Sequence, residues 1–362
     1  MTQSYWQSSF PQAIQLASLN NDAQADLCVV GLGGTGLSAL HAALEQGYSV
    51  IGIDAHEIAS GAAGSNGGFL LAGLADFLPE AIDKHGYDFA CQWYENTLKT
   101  IEWMNLTSPH AIKLTGSLRV SASTKEDEDC ERHYEALKEA RFSGQWYQGH
   151  VNIHQHKALL IPNDGVFNPY ARCQHMAKLC MESGAKLYSH SPAISIESGT
   201  IHTPQAVIKA ERILVCVDGR LNQLFPKLSA DISTWRLQML ATEPIAKITD
   251  KAIYQRYGYD YWQQLSNGQV LLGGGRDIGG TEEQTSDTQT TETVQNYLDS
   301  LVAKQFGSQT KVTQRWAASV SYNHLGLPIQ QEVLPGVWAL GAYNGTGNVI
   351  GPMLARQILS NL

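Results

Sequence analysis

The chain has 362 residues, 43% hydrophobic and 16% charged, with a formal net charge of −9. That length exceeds what one hydrophobic core usually serves, so two domains or lobes are expected. The acidic balance, without a basic run, argues against nucleic acid or an anionic membrane as partner, and no window approaches the roughly 20 apolar residues that span a bilayer.

The six cysteines show no CxxC pair and no metal-ligand spacing, so no metal is expected and a reduced cytoplasmic setting fits. The polar start Met1 to Trp6 does not read as a signal peptide, and residues 1–25 read as a wrapping arm.

Asp26-Leu27-Cys28-Val29-Val30 is apolar on both faces, as in a strand buried within a parallel sheet. Gly31-Leu32-Gly33-Gly34-Thr35-Gly36 follows, and Leu37, Leu40, Ala43 and Leu44 then recur at helical spacing up to Gly47. Tyr48 to Ile53 makes a second strand, and Asp54 stands 18 residues after Gly36. In this pattern Gly31 permits a tight turn, Gly33 keeps side chains away from a pyrophosphate, and Gly36 lets the helix pack close to the strand. The pyrophosphate then faces the unpaired N–H groups of a helix N-terminus. Asp54 is placed to accept from a ribose hydroxyl and to repel a 2′-phosphate, which disfavours NADP. The residues alone leave NAD and FAD open.

Ala59 to Gly68 is a loop of small residues suited to close approach by a flat or phosphorylated ligand. Pro79 to Leu106 has a helical pattern, Gly116 to Ala122 reads as a strand, and Lys125 to Phe142 as a surface helix whose acidic start, Glu126 to Asp129, faces solvent. Asp164 to Pro169 is turn chemistry before a helix running to Gly184. Lys186–His190 and Ala206–Lys209 are short β-prone runs, and Arg212 to Val217 is a strand closed by the Asp218-Gly219 turn. Gln238–Glu243, Tyr259–Leu265 and Gln269–Leu272 alternate and are aromatic, as antiparallel strands are, with a hairpin signal at Asn267-Gly268. Val337–Leu340, the glycine loop Gly341 to Gly347 and a helix over Val349–Leu359 repeat the strand, loop and helix of the start.

In that order the segments resemble the D-amino-acid-oxidase-like superfamily of FAD-dependent oxidoreductases, which includes glycine and sarcosine oxidases and γ-glutamylputrescine oxidase. DLCVVGLGGTG…IGIDA resembles its nucleotide fingerprint, ASGAAGSNGGF its second flavin motif, and RILVCVDGRL its later strand and turn. LQMLATEPI, YWQQLSNG and VLLGGGRD resemble substrate-domain strands. RWAASVSYNHLGLPI with GAYNGTGNVIGPMLARQIL resembles the C-terminal flavin segment, and SYWQSS is similar to the start of the γ-glutamylputrescine oxidase branch.

The resemblance implies an α/β chain (α+β overall): a Rossmann-like FAD-binding domain with a substrate domain on a mixed, largely antiparallel sheet flanked by helices. The FAD-binding domain takes residues 1–80, 151–228 and 315–362, and the substrate domain 81–150 and 229–314. FAD is the implied cofactor. Gly31, Gly33, Gly34, Thr35 and Gly36 are expected at its pyrophosphate and Asp54 at the adenosine ribose. Ser60, Ser65, Asn66, Gly67 and Gly68 are expected along the flavin, Val217, Asp218 and Gly219 at a second approach point, and Gly345, Thr346 and Gly347 at the isoalloxazine edge. Three departures matter. Ser65 replaces an arginine of the second motif. No cysteine lies between Arg315 and Leu327 to tether the flavin, so FAD is expected to be noncovalent. Val320 stands where glycine oxidase carries its carboxylate-binding arginine, which disfavours a plain α-amino acid.

The implied reaction oxidises a C–N bond of a small amine or amino-acid derivative: hydride passes to the flavin and the imine is hydrolysed. Oxygen or a quinone would reoxidise it. No acid–base residue is identified. Tyr259, Tyr261, Trp262 and Arg276 are the substrate-face candidates, and as strand neighbours alternate, at least one aromatic must point away. Arg276 and Arg236 are the candidates to replace the anchor missing at Val320. His154, His156 and His324 are loop histidines of lesser claim. The alternatives are an FAD-binding accessory protein without turnover, a tRNA-modifying flavin domain, which the charge disfavours, and an NAD-dependent dehydrogenase.

Overall fold

A computed structural model describes residues 3–149, 151 and 157–360 and divides the chain into two compact units. One comprises Trp6–Asn66, Pro169–Trp235 and Ser319–Leu362, the other Met1–Tyr5, Gly67–Asn168 and Arg236–Ala318. The breaks thus fall at 66/67, 168/169, 235/236 and 318/319, against 80/81, 150/151, 228/229 and 314/315 in the sequence reading. Much of the first difference comes from Phe69–Leu70, which pairs with Gly165–Phe167 and draws the end of the small-residue loop into the second unit.

The first unit holds a sheet with a parallel centre, the strand Ala23–Val30 flanked by Val207–Val215 and Val50–Ile53, to which Thr200–His202, Ser195–Glu197 and Ile329–Leu334 add antiparallel. Lys186–Tyr188 extends it beyond Val50–Ile53, and Val337–Gly341 adds in parallel beside Val207–Val215. Cys28, Val30, Ile51, Ile53, Ile213 and Val215 pack into one core on this sheet, and the intervening Leu27, Val29 and Leu214 are buried as well, which is why the strands read as apolar runs rather than alternating ones. The helices Gly34–Glu45, Pro169–Glu182 and Gly347–Ser360 belong to the same unit. At Gly351 a Cβ would overlap the Thr35 hydroxyl, so a glycine sits where two of these helices meet.

The second unit is a mixed sheet. Val270–Gly274, Asp260–Gln264, Ala252–Gln255, Ser117–Val120, Ala158–Ile161 and Gln145–Trp146 follow one another, with Ile232–Thr242 and Val312–Asn323 beyond Val270–Gly274. Among these six only Ala252–Gln255 and Ser117–Val120 run parallel. The expected α/β class, with one sheet built on a parallel centre and one largely antiparallel sheet, is therefore present.

Several local expectations change. The arm contains the short helix Tyr5–Ser8 with Trp6 buried, and the first strand starts at Ala23. The long helix expected over Pro79–Leu106 is two, Leu78–His85 and Tyr87–Thr107, because Gly86 adopts φ 87°. Ala206–Lys209 and Arg212–Val217 merge into one strand, Val207–Val215. Asp164 to Pro169 is not only a turn, since Gly165–Phe167 is a strand on which any Cβ at Gly165 would crowd the Lys113 carbonyl at 2.5 Å. The acidic helix start is partly turned inward: Glu126 is buried and accepts from the backbone N–H groups of Ala122 (2.8 Å) and Tyr257 (2.9 Å). No helix among the described residues is long and apolar enough to cross a membrane.

Candidate functional site

The first strand ends at a turn whose glycines do different jobs. Gly31 has φ 104°, and a Cβ there would lie 2.6 Å from the Cys216 carbonyl oxygen. At Gly36 a Cβ would overlap the Gly31 carbonyl, so this helix rests on the turn only because position 36 has no side chain. Gly33 is the helix N-cap, with no side-chain hydrogen bond to the first turn. A Cβ at Gly33 meets only Ala63 Cβ at 3.2 Å, and one at Gly34 meets nothing within 4 Å. Packing within the chain thus demands Gly31 and Gly36 and leaves space at Gly33 and Gly34. A helix N-terminus with open, uncapped N–H groups is the cradle a pyrophosphate needs.

Asp54 closes the second strand. Its Oδ2 accepts from Leu32 N–H (2.8 Å) and its Oδ1 from His56 N–H (2.9 Å). Burial pushes the carboxyl up and these two N–H groups oppose it. Each oxygen keeps a second lone pair for a ribose hydroxyl. The residues present therefore fit the FAD expected here.

The same unit brings together the other segments. Ala59 sits at φ 52°, with the turn Ala62–Gly64 folded over it, where a Cβ at Gly64 would overlap the Ala59 carbonyl. The Ser60 carbonyl accepts from Gln7 Nε2 at 3.3 Å, and Ser65 is buried in the turn. Asn66 Nδ2 donates to the carbonyls of Ala62 (3.0 Å) and Ala63 (3.2 Å), while its Oδ1 accepts from Asn348 Nδ2 (3.0 Å). Its side chain thus ties the second motif to the start of the C-terminal helix, a role the motif did not announce. Gly345 has φ 82°, and the Thr346 hydroxyl donates to the Tyr343 carbonyl at 2.7 Å just before Gly347 opens that helix.

Val217 and Gly219 flank Asp218, which has φ 33°. Its Oδ1 accepts from Ala342 N–H (2.8 Å) and its Oδ2 from Ser321 N–H (3.2 Å), so one carboxylate ties three segments together. Burial pushes this carboxyl up to about 6 against those N–H groups. A carboxyl raised in the folded state keeps its proton from about pH 4 to about pH 6 while the unfolded chain loses it. Stability from this group is therefore full below pH 4 and falls by about 3 kcal/mol as pH rises through 6. Asp218→Asn is expected to remove that slope, read as urea-unfolding free energy against pH from 4 to 8; an unchanged slope would refute the assignment.

In the second unit strand register sorts the substrate candidates. Leu118, Ile253, Trp262, Leu272 and Leu240 are successive cross-strand partners on one face and belong to one buried core. Trp262 is fully buried there, edge-on to Phe306, so it is the aromatic that points away and is withdrawn as a substrate contact. The other face carries the row Arg119, Tyr254, Tyr261 and Gly273. Tyr261 lies over Gly273, where a Cβ would stand 2.6 Å from its ring, and packs edge-on against Phe69. A Cβ at Gly67 would stand 3.0 Å from the same ring, and Gln263, two residues along on that face, donates to the carbonyls of Gly67 and Gly68. Tyr259 is exposed, with the guanidinium of Arg276 5.3 Å from its ring centre.

Arg236 is withdrawn as a substrate anchor. It is buried and forks onto Glu283, Nε to Oε2 and Nη2 to Oε1, each at 2.9 Å. Asp277, the neighbour of Arg276, pairs instead with Arg256. Val320 is half-buried on Val312–Asn323, and His324 is exposed in the loop that follows. His154 and His156 lie outside the described residues. Arg119, Tyr254 and Gln263 were missed in the sequence. For Arg119 the signal was there, since Ser117, Arg119 and Ser121 alternate with Leu118, Val120 and Ala122 as a polar face.

Comparison with known proteins shows the family and the fold. The family model for FAD dependent oxidoreductases, DAO, matches residues 26–360. "Probable oxidoreductase OrdL" of Rhizobium meliloti (strain 1021) is 23% identical over 98% of this chain and 88% of its own length. The gamma-glutamylputrescine oxidoreductase of Escherichia coli (strain K12) is 22% identical over 100% of this chain and 88% of its own. Glycine oxidase from Geobacillus kaustophilus shares the fold, with a TM-score of 0.74 at 16% identity over 94% of each chain. With the family model covering almost its whole length, the chain belongs to the DAO family of FAD dependent oxidoreductases, related to amino acid and amine oxidases.

Proposed function

We propose that this chain oxidises the C–N bond of a small amine or amino-acid derivative, with FAD held noncovalently and the imine product hydrolysed in water. The observation that carries the reading is the uncapped turn and helix at Gly33 to Gly36, made by the chain's own packing and left open where a pyrophosphate would lie. Bound FAD supplies the hydride acceptor. Backbone N–H groups of residues 34–36 hold the pyrophosphate, Asp54 takes the ribose, and the segments 60–68, 217–219 and 345–347 line the flavin. Tyr259, Tyr261 and Arg276 position the amine, and Tyr261 is the one packed on a glycine of the second flavin motif. With proximity and exclusion of water as the protein's contribution, no side chain has to act as acid or base beyond accepting the free amine.

The test is an anaerobic screen. The yellow holoprotein is mixed with primary and secondary amines and with N-alkyl amino acids, and absorbance is followed at the flavin band. Bleaching by a member of the panel is the expected result, and admitting air then tells an oxidase from a dehydrogenase that needs a quinone. Persistent colour with every candidate would favour an accessory flavoprotein instead. Release of the colour by acid precipitation checks that FAD is not covalent.

A further inference from the structure

Resting on the placement of FAD along residues 60–68, we propose that Gln263 is a positioning residue for the flavin. By holding the Gly67 and Gly68 carbonyls it turns the N–H ends of both peptides toward the isoalloxazine and raises the flavin's reduction potential.

Gln263 stands on Asp260–Gln264, two residues from Tyr261 and so on the same face of the strand. It is buried. A side-chain amide nitrogen carries two hydrogens, and Gln263 Nε2 reaches two consecutive carbonyl oxygens, Gly67 at 2.5 Å and Gly68 at 3.0 Å. In extended backbone successive carbonyls point opposite ways, so two of them on one donor mark a break in the strand pattern. Gly68 makes that break at φ 70°, just before Phe69–Leu70 pairs with Gly165–Phe167.

A trans peptide sets its N–H opposite to its C=O. The Gly68 N–H shares a peptide with the Gly67 carbonyl, and the Phe69 N–H shares one with the Gly68 carbonyl, so both N–H vectors point away from Gln263. Successive N–H groups aimed one way make a concavity of positive potential. Two such dipoles favour the flavin state that carries more negative charge, which is the reduced one. Gln263 does not matter equally to the two peptides. The Gly68 carbonyl also accepts from Phe167 N–H at 2.9 Å, so strand pairing holds it without the amide, and the Gly67 peptide is the one whose orientation Gln263 decides. Tyr261 bears on the same residue, its ring 3.0 Å from where a Cβ at Gly67 would stand. A glutamine suits this task because it is neutral: it orients the carbonyls without adding a charge of its own, and the peptide dipoles set the sign.

The test reads the midpoint potential of the flavin in the holoprotein, by equilibration with a reference dye during slow reduction with dithionite and without any amine. Gln263→Met keeps the length of the side chain and removes both donors. It is expected to lower the preference for reduced over oxidised flavin about tenfold, which is about 30 mV in a two-electron couple. In Gln263→Glu the carboxyl faces two carbonyl oxygens, stays protonated and donates one O–H, so its potential is expected between the other two. If Gln263→Met fails to hold FAD, Gln263→Glu decides: a potential below the native one supports the proposal and a native potential overturns it. Native potentials in both variants with a lowered melting temperature would make Gln263 a packing residue only and overturn the positioning role. A shifted potential with no amine bleaching the native flavin would keep the positioning role and remove the amine reading. Bleaching by an amine with native potentials in both variants would do the reverse.

Discussion

Gly36→Ala is expected to yield protein that does not retain FAD and melts well below the native chain. The new Cβ would overlap the Gly31 carbonyl oxygen and approach Val29 Cγ1 at 3.1 Å. The obstacle is backbone, so no rotamer change relieves it, and the helix Gly34–Glu45 must move off the strand. Alanine is the better helix former by about 1 kcal/mol, but a displaced helix loses packing worth several times that. It also carries its N-terminal N–H groups out of line with the pyrophosphate. Gly34→Ala is the matched control, because a Cβ there meets nothing within 4 Å. It is expected to leave the melting temperature of the FAD-free protein unchanged or slightly raised. Gly33→Ala falls between: the fold tolerates a contact of 3.2 Å with Ala63, and loss of FAD with the melt preserved would identify the ligand as what keeps this position glycine. Flavin content per protein and a thermal melt read all three. If Gly36→Ala binds FAD as the native chain does, the account of the turn is wrong.

The parts legible in the sequence were those where cause and effect are local. Strand, glycine turn, helix and Asp54 lie within about thirty residues, and each glycine's role follows from backbone geometry that the order of residues already implies. What escaped depends on partners far along the chain. Tyr261 and Trp262 had to face opposite ways, but only the neighbours Ile253 and Leu272 decide which of them enters the core. Arg119 sat on a visibly polar strand face, yet nothing local placed it beside Tyr254, 135 residues later. Asn66 was expected along the flavin by motif, but nothing in the motif announced that its side chain holds two loop carbonyls and Asn348. Gly86 is an instance of local information passed over, since a glycine inside a long helical pattern was a sufficient reason to expect a break.

Arg236→Met is expected to destabilise the chain by about 3–5 kcal/mol, because it strands the Glu283 carboxylate in a site with no solvent. The arginine side chain is 5% exposed and its glutamate partner 0%. Burial works to raise Glu283, but the hydrogen bonds from Arg236, Gln238 and Thr291 outweigh it and hold the carboxyl below its ordinary value. In the native protein this group therefore adds stability above the usual glutamate range, lost as pH falls below it. Without the guanidinium, burial is expected to win and the carboxyl to rise, so Arg236→Met should gain more stability as pH falls from 7 to 5 than the native chain, whose gain over that range comes from Asp218. That steeper slope, followed by urea unfolding at each pH, separates a broken ion pair from a simple packing loss. The double variant Arg236→Met/Glu283→Gln should be less damaged than Arg236→Met alone, since no charge is then left without a partner. A structural arginine at 236 predicts that protein still folded at low temperature keeps the native protein's substrate profile in the anaerobic screen. Loss of that profile together with stability would return Arg236 to the substrate site.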